Sequence, residues 1–324
     1  MNRLRFWLAV MVCMVPFAAT AQQAGAEFPA RPIRIIVPFS PGGPADMIGR
    51  VVAAEMQKSM QQSIVVENHP GAGGTLGAAM VAKAPADGHT LLISNIAETW
   101  IAHFFKQLPY VFERDFVPVS KLMATSFVVV ASPKLPIDSF ASMMRYAREN
   151  PGKLTYGSAG IGVSSHLAGE LLAQLAEVDI RHVAYKGQSQ AMSDLLGGHI
   201  GFVFASPVTA IPMIKGGQVT AIATTGTERV RLLPDVATIN ESGVRNYDVD
   251  TWFGLSAPRG TPAAIVDRLH REAAKALAQP AVRDNLEKQG TQVVGNSPKE
   301  FAGQIAADAA KWTAVIKKAG LATD

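Results

Sequence analysis

Four turns rich in glycine and serine could together bind a small anion. Each follows a predicted strand and precedes a predicted helix, so it offers N–H groups that have no partner within the helix. Glycine lets the backbone approach a ligand, and the helix dipole favours negative charge at that end. The turns are residues 40–43, 71–74, 157–165 and 186–189. We expect them to line a pocket for one or two carboxylates, because ligands of open α/β sheets bind beyond the carboxyl ends of strands. Four ordinary turns remain the alternative.

The glycines of the second turn do not indicate a nucleotide site. A dinucleotide fingerprint starts directly after a strand, whereas residues 67–70 separate Gly71, Gly73 and Gly77 from the strand before them. The sequence G-x-x-x-x-G-K-[ST] is absent, and the seven histidines lack the H-x-x-x-H spacing typical of zinc sites. We therefore expect no cofactor and no metal.

Catalysis has one candidate, a serine hydrolase that uses Ser164 or Ser165 with His166. The G-x-S-x-G turn that exposes a nucleophilic serine is absent from the chain. Adjacency in sequence does not place a base beside its nucleophile in space. We expect no enzymatic activity, with the hydrolase as the lesser alternative.

The N-terminus has the three parts of a secretory signal peptide. Arg3 and Arg5 form a basic start, residues 6–18 are apolar, and a small-x-small cleavage site ends at Ala21. The apolar run is shorter than the roughly 20 residues of a membrane-spanning helix. We therefore predict that residues 1–21 are removed and that the mature protein is periplasmic.

The charge and cysteine content of the mature chain exclude two classes of function. Removing Arg3 and Arg5 lowers the formal charge from +4 to +2, and no basic cluster indicates a nucleic-acid partner. Cleavage also removes Cys13, the only cysteine, which excludes thiol chemistry. The core alone must stabilise the fold.

Short apolar strands alternate with amphipathic helices along the mature chain, which predicts an α/β fold. A chain of 324 residues is long for one domain and natural for two. We predict two lobes, each a sheet flanked by helices, joined by two crossing segments. The C-terminal tail has too few strands for its own sheet, so we place residues 22–124 and 250–324 in lobe 1 and residues 125–249 in lobe 2.

Four charged or aromatic residues are expected to be structural. Asp46 falls in the first turn of a helix, where a carboxylate caps the helix or favours its dipole. Asp194 could reach back to Tyr185. Trp252 and Phe253 lie in the second crossing and are expected to pack in the core or hinge, with ligand stacking as the alternative.

Several segments together resemble the Bug receptors, the solute-binding subunits of tripartite tricarboxylate transporters. The resemblance covers essentially the whole mature chain. Its first motifs are Val37-Pro38-Phe39-Ser40-Pro41-Gly42-Gly43, Glu67-Asn68-His69-Pro70-Gly71-Ala72-Gly73-Gly74 and Asp87-Gly88-His89-Thr90-Leu91. The later motifs are Ser164-Ser165-His166-Leu167, His182-Val183-Ala184-Tyr185-Lys186-Gly187, Asp194-Leu195-Leu196-Gly197-Gly198, Leu233-Pro234-Asp235-Val236 and Trp252-Phe253-Gly254-Leu255-Ser256-Ala257-Pro258.

This resemblance implies a type II-like periplasmic binding fold that closes on its ligand between two lobes. It also implies delivery of the ligand to membrane permease subunits, and we expect the receptor itself to be a monomer. Carried over, the first two glycine loops clamp a ligand carboxylate through Phe39, Ser40, Gly42, Gly43, Ala72, Gly73 and Gly74. The remaining candidate residues are Ser94, Ser158, Ser165, Lys186, Gly187 and Ser206.

Departures from the family pattern bear on the ligand. Ser40 stands where the family often has proline or another small residue, and Ala184 stands where proline is usual. Ala205 and Ser206 follow a predicted strand without an acid, and an ammonium ligand would need a nearby carboxylate. We therefore expect a mono- or dicarboxylate without an amine. A periplasmic sensor that binds the same ligand for a signalling partner is the alternative to a transport receptor.

Overall fold

The computed structural model describes residues 28–105 and 107–319, the last two by backbone alone. The predicted signal peptide and its cleavage site at Ala21 lie outside these residues. Within them, no helix combines the length and the apolar character needed to cross a membrane.

Strands and helices alternate along the described part of the chain. The strands are β1 (Ile33–Val37), β2 (Ile64–Asn68), β3 (Thr90–Asn95), β4 (Phe116–Ser126), β5 (Val128–Ala131), β6 (Leu154–Ser158), β7 (Ile180–Ala184), β8 (Phe202–Ala205), β9 (Thr220–Thr224), β10 (Asp250–Pro258) and β11 (Gln292–Val293). The α-helices are α1 (Pro44–Met60), α2 (Thr75–Ala82), α3 (Phe112–Asp115), α4 (Phe140–Glu149), α5 (Ser164–Ala176), α6 (Gln188–Gly197), α7 (Pro207–Lys215), α8 (Ala263–Ala278), α9 (Pro280–Glu287) and α10 (Pro298–Ala319). Short 3-10 helices cover Ala72–Gly74, Ile96–Thr99 and Ile101–His103.

The first sheet has the strand order β11-β4-β10-β3-β1-β2. Its strands β1, β2 and β3 are parallel, and β10 runs antiparallel to both β3 and β4. Ile35 and Ile36 point to opposite faces of β1, yet neither is exposed. The sheet is therefore covered on both faces, which explains the nearly continuous apolar sequence of β1.

The second sheet has the order β7-β6-β8-β5-β9. Its strands β6, β7 and β8 are parallel, and β5 runs antiparallel to β8 and β9. The parallel strands of each sheet end at one edge, where β5 and β10 begin. Turns that follow these strands therefore gather at two facing edges.

The chain passes between the sheets twice. Phe127 alone separates β4 from β5, and residues 225–249 separate β9 from β10. The two passages are tied together, because the Thr225 N–H donates to the Phe127 carbonyl and the Val249 N–H donates to the Thr225 carbonyl, each at 3.0 Å. This architecture confirms the predicted α/β class with two sheets flanked by helices.

The C-terminal helices pack on the first sheet. Helix α8 lies against α1 and β4, and α10 lies against β4. Helix α10 starts at a capping box, in which the Ser297 and Glu300 side chains each bond to the backbone N–H of the other residue. Trp252 packs edge-on against Phe301 of α10 and so fixes this helix to β10.

Candidate functional site

A cavity lies between the facing edges of the two sheets, beside both chain passages. It contains about 50 Å³ that a sphere the size of a water molecule can occupy. It is lined by Phe39, Ser40, Gly43, Pro44, Ala45, Asn95, Phe127, Ala159, Val163, Ser164, Ser165, Gln188, Thr251 and Phe253. Residues from both sheets therefore contribute to its wall.

The turn after β1 forms one wall and leads into α1. Pro44 occupies the first helical turn, where its missing N–H costs nothing. Asp46 stays behind this wall. It is buried, accepts hydrogen bonds from the Gly42 N–H and the Asn68 amide at 3.0 Å each, and forms an ion pair with Arg50 at 2.9 Å. Asp46 thus has the structural role expected of it.

Hydrogen bonds hold the Asp46 carboxyl in its charged form. Burial alone would raise its pKa, but the bonds from Arg50, Gly42 and Asn68 outweigh burial and lower the pKa below its ordinary value. The Arg50 guanidinium balances this negative charge. An anion at the start of α1 therefore meets a neutral pair rather than an uncompensated carboxylate.

Strands β3 and β10 supply the floor. Asn95 lies directly opposite Phe253 in their antiparallel pairing, and Thr251 lies two residues before Phe253. Alternate residues of a strand share a face, so these three side chains line the cavity together. Trp252 points the other way and donates to Asp308 at 2.8 Å. The expectation of core packing is thus confirmed for Trp252, whereas Phe253 faces the cavity.

The second sheet contributes the starts of α5 and α6. Ser164 donates to the Thr251 hydroxyl at 3.2 Å, which ties α5 to β10. The Ser165 hydroxyl accepts from the Ala159 N–H at 3.2 Å. Gln188 donates to the Phe204 carbonyl and accepts from Thr209, so its side chain is anchored within its own lobe.

The lining is uncharged but rich in donors. None of the described residues that line the cavity is acidic, basic or histidine. Helices α1, α5 and α6 all begin there, so N–H groups without helical partners lie on opposite sides. Asn95 is 3% exposed; its Oδ1 accepts from the Ala97 N–H, and its Nδ2 has no partner among the described residues. These neutral donors suit a small anion.

The structure brings four of the thirteen predicted residues to the cavity: Phe39, Ser40, Gly43 and Ser165. Three more stand directly behind it. Gly74 packs against the Phe39 ring, Gly187 against Ser40, and Gly42 against Ser189 of the facing lobe.

The other six predicted residues do not line this cavity. Ala72, Gly73 and Lys186 border a separate cleft at the lobe interface. Ser94 points into the first sheet and bonds to Ser256 at 2.8 Å, while Ser158 bonds to His182 and to the Gly160 carbonyl. Ser206 is buried, and its hydroxyl has no partner among the described residues.

Sequence reasoning did not select Asn95, Thr251 or Phe127, whereas Gln188 lies in the turn 186–189 that was expected to line the pocket. A signal was available for Asn95, because it follows Ser94 at the end of a predicted strand and alternation sends one of the two to each face. Phe127 is different: its position between the sheets depends on where the chain crosses, which no local pattern shows.

The hydrolase candidate lacks the required geometry. His166 Nδ1 accepts from the Gly162 N–H at 3.0 Å, and neither Ser164 nor Ser165 bonds to its ring. Burial, together with the neighbouring His182, lowers the pKa of His166 to about 3, and burial lowers the pKa of His182 to about 4. The two rings stack at 4.0 Å as neutral groups and support the start of α5.

A larger groove and the Tyr185–Asp194 pair lie outside the cavity. A groove of about 460 Å³ runs beside the chain passages, but it is open to solvent, and its lining includes the charged side chains of Arg229, Arg231 and Glu287. Tyr185 donates to Asp194 at 2.7 Å, which confirms that predicted contact and keeps both from the cavity. Among the described residues, no cluster of three His, Cys, Asp or Glu side chains could hold a metal.

The sequence profile of the tripartite tricarboxylate transporter family receptor matches residues 48–321. Two curated relatives are similar over almost their whole length. A UPF0065 protein from the tcbD-tcbE intergenic region of Pseudomonas sp. (strain P51) is 38% identical, covering 97% of this chain and 94% of the relative. Protein BugT of Bordetella pertussis is 34% identical, covering 99% of both chains.

Three solved structures share this architecture. The periplasmic binding protein BugD superposes with a TM-score of 0.88 at 32% identity, covering 92% of this chain and all of that one. Rpa4515 of R. palustris with adipate gives a TM-score of 0.88 at 32% identity, with 91% and 99% coverage. MatC of Rhodopseudomonas palustris with bound malate gives 0.85 at 34% identity, with 89% and 100% coverage.

Proposed function

Because this chain belongs to the tripartite tricarboxylate transporter receptor family, a family of solute-binding receptors rather than enzymes, we propose that it captures a small carboxylate for a membrane transporter. The ligand binds in the cavity between the two lobes, and the loaded protein presents it to permease subunits. Two related structures whose titles name adipate and malate support a carboxylate.

One observation carries this proposal. The Asn95 amide is buried, and its Nδ2 has no partner in the described part of the chain, in a cavity where helices α1 and α5 begin from opposite lobes. A buried donor without an acceptor costs roughly 1–3 kcal/mol. A carboxylate would satisfy this amide and the free N–H groups of both helices at once.

The proposed mechanism is closure of the lobes around the anion. Hydrogen bonds and apolar contacts join the lobes: Ser189 donates to the Pro41 carbonyl at 2.8 Å, Trp100 donates to the Gly162 carbonyl at 2.7 Å, and Phe104 packs edge-on against His166. A ligand that bonds to both lobes adds to these contacts and shifts the population toward the closed form. The two passages at Phe127 and residues 225–249 act as the hinge.

Several further assignments belong to the same proposal. Lobe 1 comprises residues 22–124 and 250–324, and lobe 2 comprises residues 125–249; strand β4 of the first sheet continues two residues past the first boundary, to Ser126. The mature protein is a periplasmic monomer released by cleavage near Ala21. Phe39, Ser40, Gly43 and Ser165 contact the ligand, and Gly42, Gly74 and Gly187 allow the loops to approach it.

Ligand-dependent stabilisation tests the proposal. Protein beginning at residue 22, freed of co-purifying ligand by unfolding and refolding, is screened with carboxylates, sulfonates, sugars and amino acids. A true ligand at 100 times its dissociation constant stabilises the fold by about 2.7 kcal/mol, seen as a rise in melting temperature. Ser165→Ala should reduce the response, whereas Ser193→Ala, on the exposed face of α6, should not.

Two outcomes would contradict this function. If only amino acids or sugars raise the melting temperature, the proposed ligand class, a carboxylate without an amine, is wrong. Delivery is tested separately, by uptake of the labelled ligand into vesicles that carry the permease subunits. Uptake that is the same with and without this protein would leave a sensor as the better interpretation.

A further inference from the structure

We propose that Trp100 of lobe 1 is a positioning residue: it clamps Gly162 of lobe 2 and so holds part of the protein closed before any ligand binds. This inference rests on the proposed function and names a residue that regulates the same site. Trp100 acts on ligand affinity through the balance between open and closed lobes, without contacting the ligand.

The Trp100 side chain is fixed within lobe 1. It follows the 3-10 helix Ile96–Thr99, which packs against α10, and its ring centroid lies 4.9 Å from that of Trp312 in α10. The residue is only 1% exposed. Because packing already restricts the indole, a further hydrogen bond costs little additional conformational entropy. Trp100 therefore presents its N–H to the facing lobe in a fixed position.

Gly162 of lobe 2 is enclosed by three side chains of lobe 1. Its carbonyl oxygen accepts a hydrogen bond from Trp100 Nε1 at 2.7 Å. A Cβ on Gly162 would lie 2.5 Å from Ile101 Cδ1 and 3.2 Å from the Phe104 side chain. Gly162 also has a left-handed backbone, with φ at +75°, which glycine adopts readily. This fit leaves no room for a larger residue while the lobes are in contact.

The segment that Trp100 holds leads directly into one wall of the cavity. Val163, the residue after Gly162, is the N-cap of α5, and residues 163–165 all line the cavity. The Gly162 N–H donates to His166 Nδ1 at 3.0 Å, which ties the segment to the first turn of α5. Trp100 therefore fixes the start of α5 relative to lobe 1 through Gly162.

The clamp favours closure whatever the cavity contains. When the lobes separate, water hydrates the indole N–H and the Gly162 carbonyl and surrounds the apolar side chains of Ile101 and Phe104. Neither Trp100 nor any of these three is among the described residues that line the cavity. Apparent affinity is proportional to the fraction of molecules in the binding-competent form. A weaker clamp should therefore reduce the affinity for every ligand by the same factor.

Trp100→Phe tests the clamp, because phenylalanine keeps an aromatic ring beside Trp312 and removes the indole N–H. Small-angle scattering of ligand-free protein that begins at residue 22 measures the separation of the lobes. We expect a larger radius of gyration for the variant than for wild type, since losing this bond lowers the closed-to-open ratio about tenfold. Equal radii for the two ligand-free proteins would overturn the inference and leave the proposed function intact.

Calorimetric titration with two carboxylates, beginning with adipate and malate, measures the effect on affinity. We expect Trp100→Phe to weaken both by the same factor, up to about tenfold. Unchanged affinities would mean that the clamp does not control closure, and unequal losses would mean that Trp100 acts on the ligand itself; either result overturns the inference. If no carboxylate binds, the proposed function is wrong, and the scattering comparison still tests the clamp.

Trp252→Phe is the matched control. Trp252 is 2% exposed, and its Nε1 donates to Asp308 at 2.8 Å, so phenylalanine again removes a buried indole N–H. Both of these partners belong to lobe 1. We expect this variant to lose stability but to keep the wild-type radius and affinities. Equal changes in the two tryptophan variants would assign the effect to lost folding stability and contradict the clamp.

Gly162→Ala gives an independent measurement should Trp100→Phe fold poorly. Its Cβ would overlap Ile101 Cδ1, so we expect ligand affinity to fall at least about tenfold. Ile101→Ala removes that atom, so the double variant should regain most of the lost affinity. If the double variant binds as weakly as Gly162→Ala, strain at φ +75° rather than contact with lobe 1 causes the loss, and the inference is wrong.

Discussion

Replacing Asn95 by alanine removes two N–H donors from the cavity while leaving the backbone of β3 in place. Hydrogen bonds to a charged group contribute about 1.5–3 kcal/mol, so we expect ligand affinity to fall at least tenfold. The variant also loses the bond from the Ala97 N–H to Oδ1, which lowers stability by about 1 kcal/mol. Calorimetric titration separates these two effects.

Ser94→Ala is the control variant for Asn95→Ala. Ser94 is fully buried in the same strand but bonds to Gly254 and Ser256 on the opposite face. We expect it to lower the free energy of unfolding without changing ligand affinity. Equal affinity losses in the two variants would mean that Asn95 acts through the strand rather than on the ligand.

Glu98 gives a prediction about pH. Burial, together with the charge of Glu113, raises the pKa of this carboxyl to about 7, although the hydrogen bond from Tyr110 opposes the shift. The stability that Glu98 contributes is therefore fully present below about pH 4.5, the pKa of the unfolded chain, and is lost as pH rises through 7. Glu98→Gln keeps an acceptor for Tyr110 and removes the titration.

Urea unfolding of wild type and Glu98→Gln between pH 5 and 8 checks this. As pH rises from 5 to 8, the free energy of unfolding of Glu98→Gln should increase relative to that of wild type by about 3 kcal/mol. The difference between the proteins is what matters, because His166 and His182 have the opposite effect: with lowered pKa values, they stabilise above about pH 6.5 and destabilise as pH falls. A difference that does not change with pH would show that Glu98 titrates normally.

The orientations of Ser94 and Asn95 could not be predicted from the local sequence. Glycine and serine loops predicted a site for an anion, and the helix starts do gather at one cavity. Whether Ser94 or Asn95 faces that cavity depends on where β3 ends and how β10 pairs with it, across more than 150 residues. Local patterns do not contain that pairing.

At the scale of elements, the turn before α2 determines how closely the lobes approach. Gly73 has a left-handed backbone, with φ at +66°, and a Cβ there would overlap the Ile161 carbonyl oxygen of the facing lobe. We expect Gly73→Ala to weaken ligand binding at least tenfold, because binding requires closure. Titration calorimetry measures affinity, and small-angle scattering measures the separation of the lobes.

Gly217→Ala separates closure from backbone strain. Gly217 has nearly the same φ, +65°, but no atom lies within 4 Å of its added Cβ. Both variants should lose about 1–2 kcal/mol of stability, since alanine tolerates this backbone poorly. Only Gly73→Ala should lose affinity; parallel losses would assign the effect to strain.

Most elements followed from local rules. Three features can be recognised from local sequence, because each depends on neighbours within a few residues: the capping box at Ser297, the proline at the start of α1 and the apolar strand β1. Strand β11, only two residues long, was not, because it exists only by pairing with β4. The 3-10 helix at Ile96–Thr99 likewise carries no periodic pattern long enough to detect.

Composition and the alternation of strands with helices predicted two sheets. The contacts between the lobes could not be predicted, because they join residues far apart in the sequence. Trp100 reaches Gly162 over 62 positions, and Phe104 packs edge-on against His166 at 5.6 Å. These contacts join the lobes on the side where the cleft closes. They imply that ligand exchange requires the lobes to separate, a motion expected on the microsecond to millisecond scale.

A disulfide across the interface tests that requirement. A Cβ on Gly42 would lie 3.4 Å from Ser189 Oγ, the atom that Sγ replaces in a Ser189→Cys variant, so the two sulfur atoms can approach bonding distance. The only native cysteine, Cys13, is in the predicted signal peptide, so protein starting at residue 22 has no competing thiol.

The double variant Gly42→Cys/Ser189→Cys is oxidised with ligand bound. We expect it to exchange that ligand at least about a hundredfold more slowly than wild type, because the disulfide prevents the lobes from separating. Adding reductant should restore the exchange rate. Gly42→Cys alone shows any effect of backbone strain at this left-handed position. Rapid exchange from the oxidised double variant would mean that ligand leaves without opening the lobes, which would contradict the hinge mechanism.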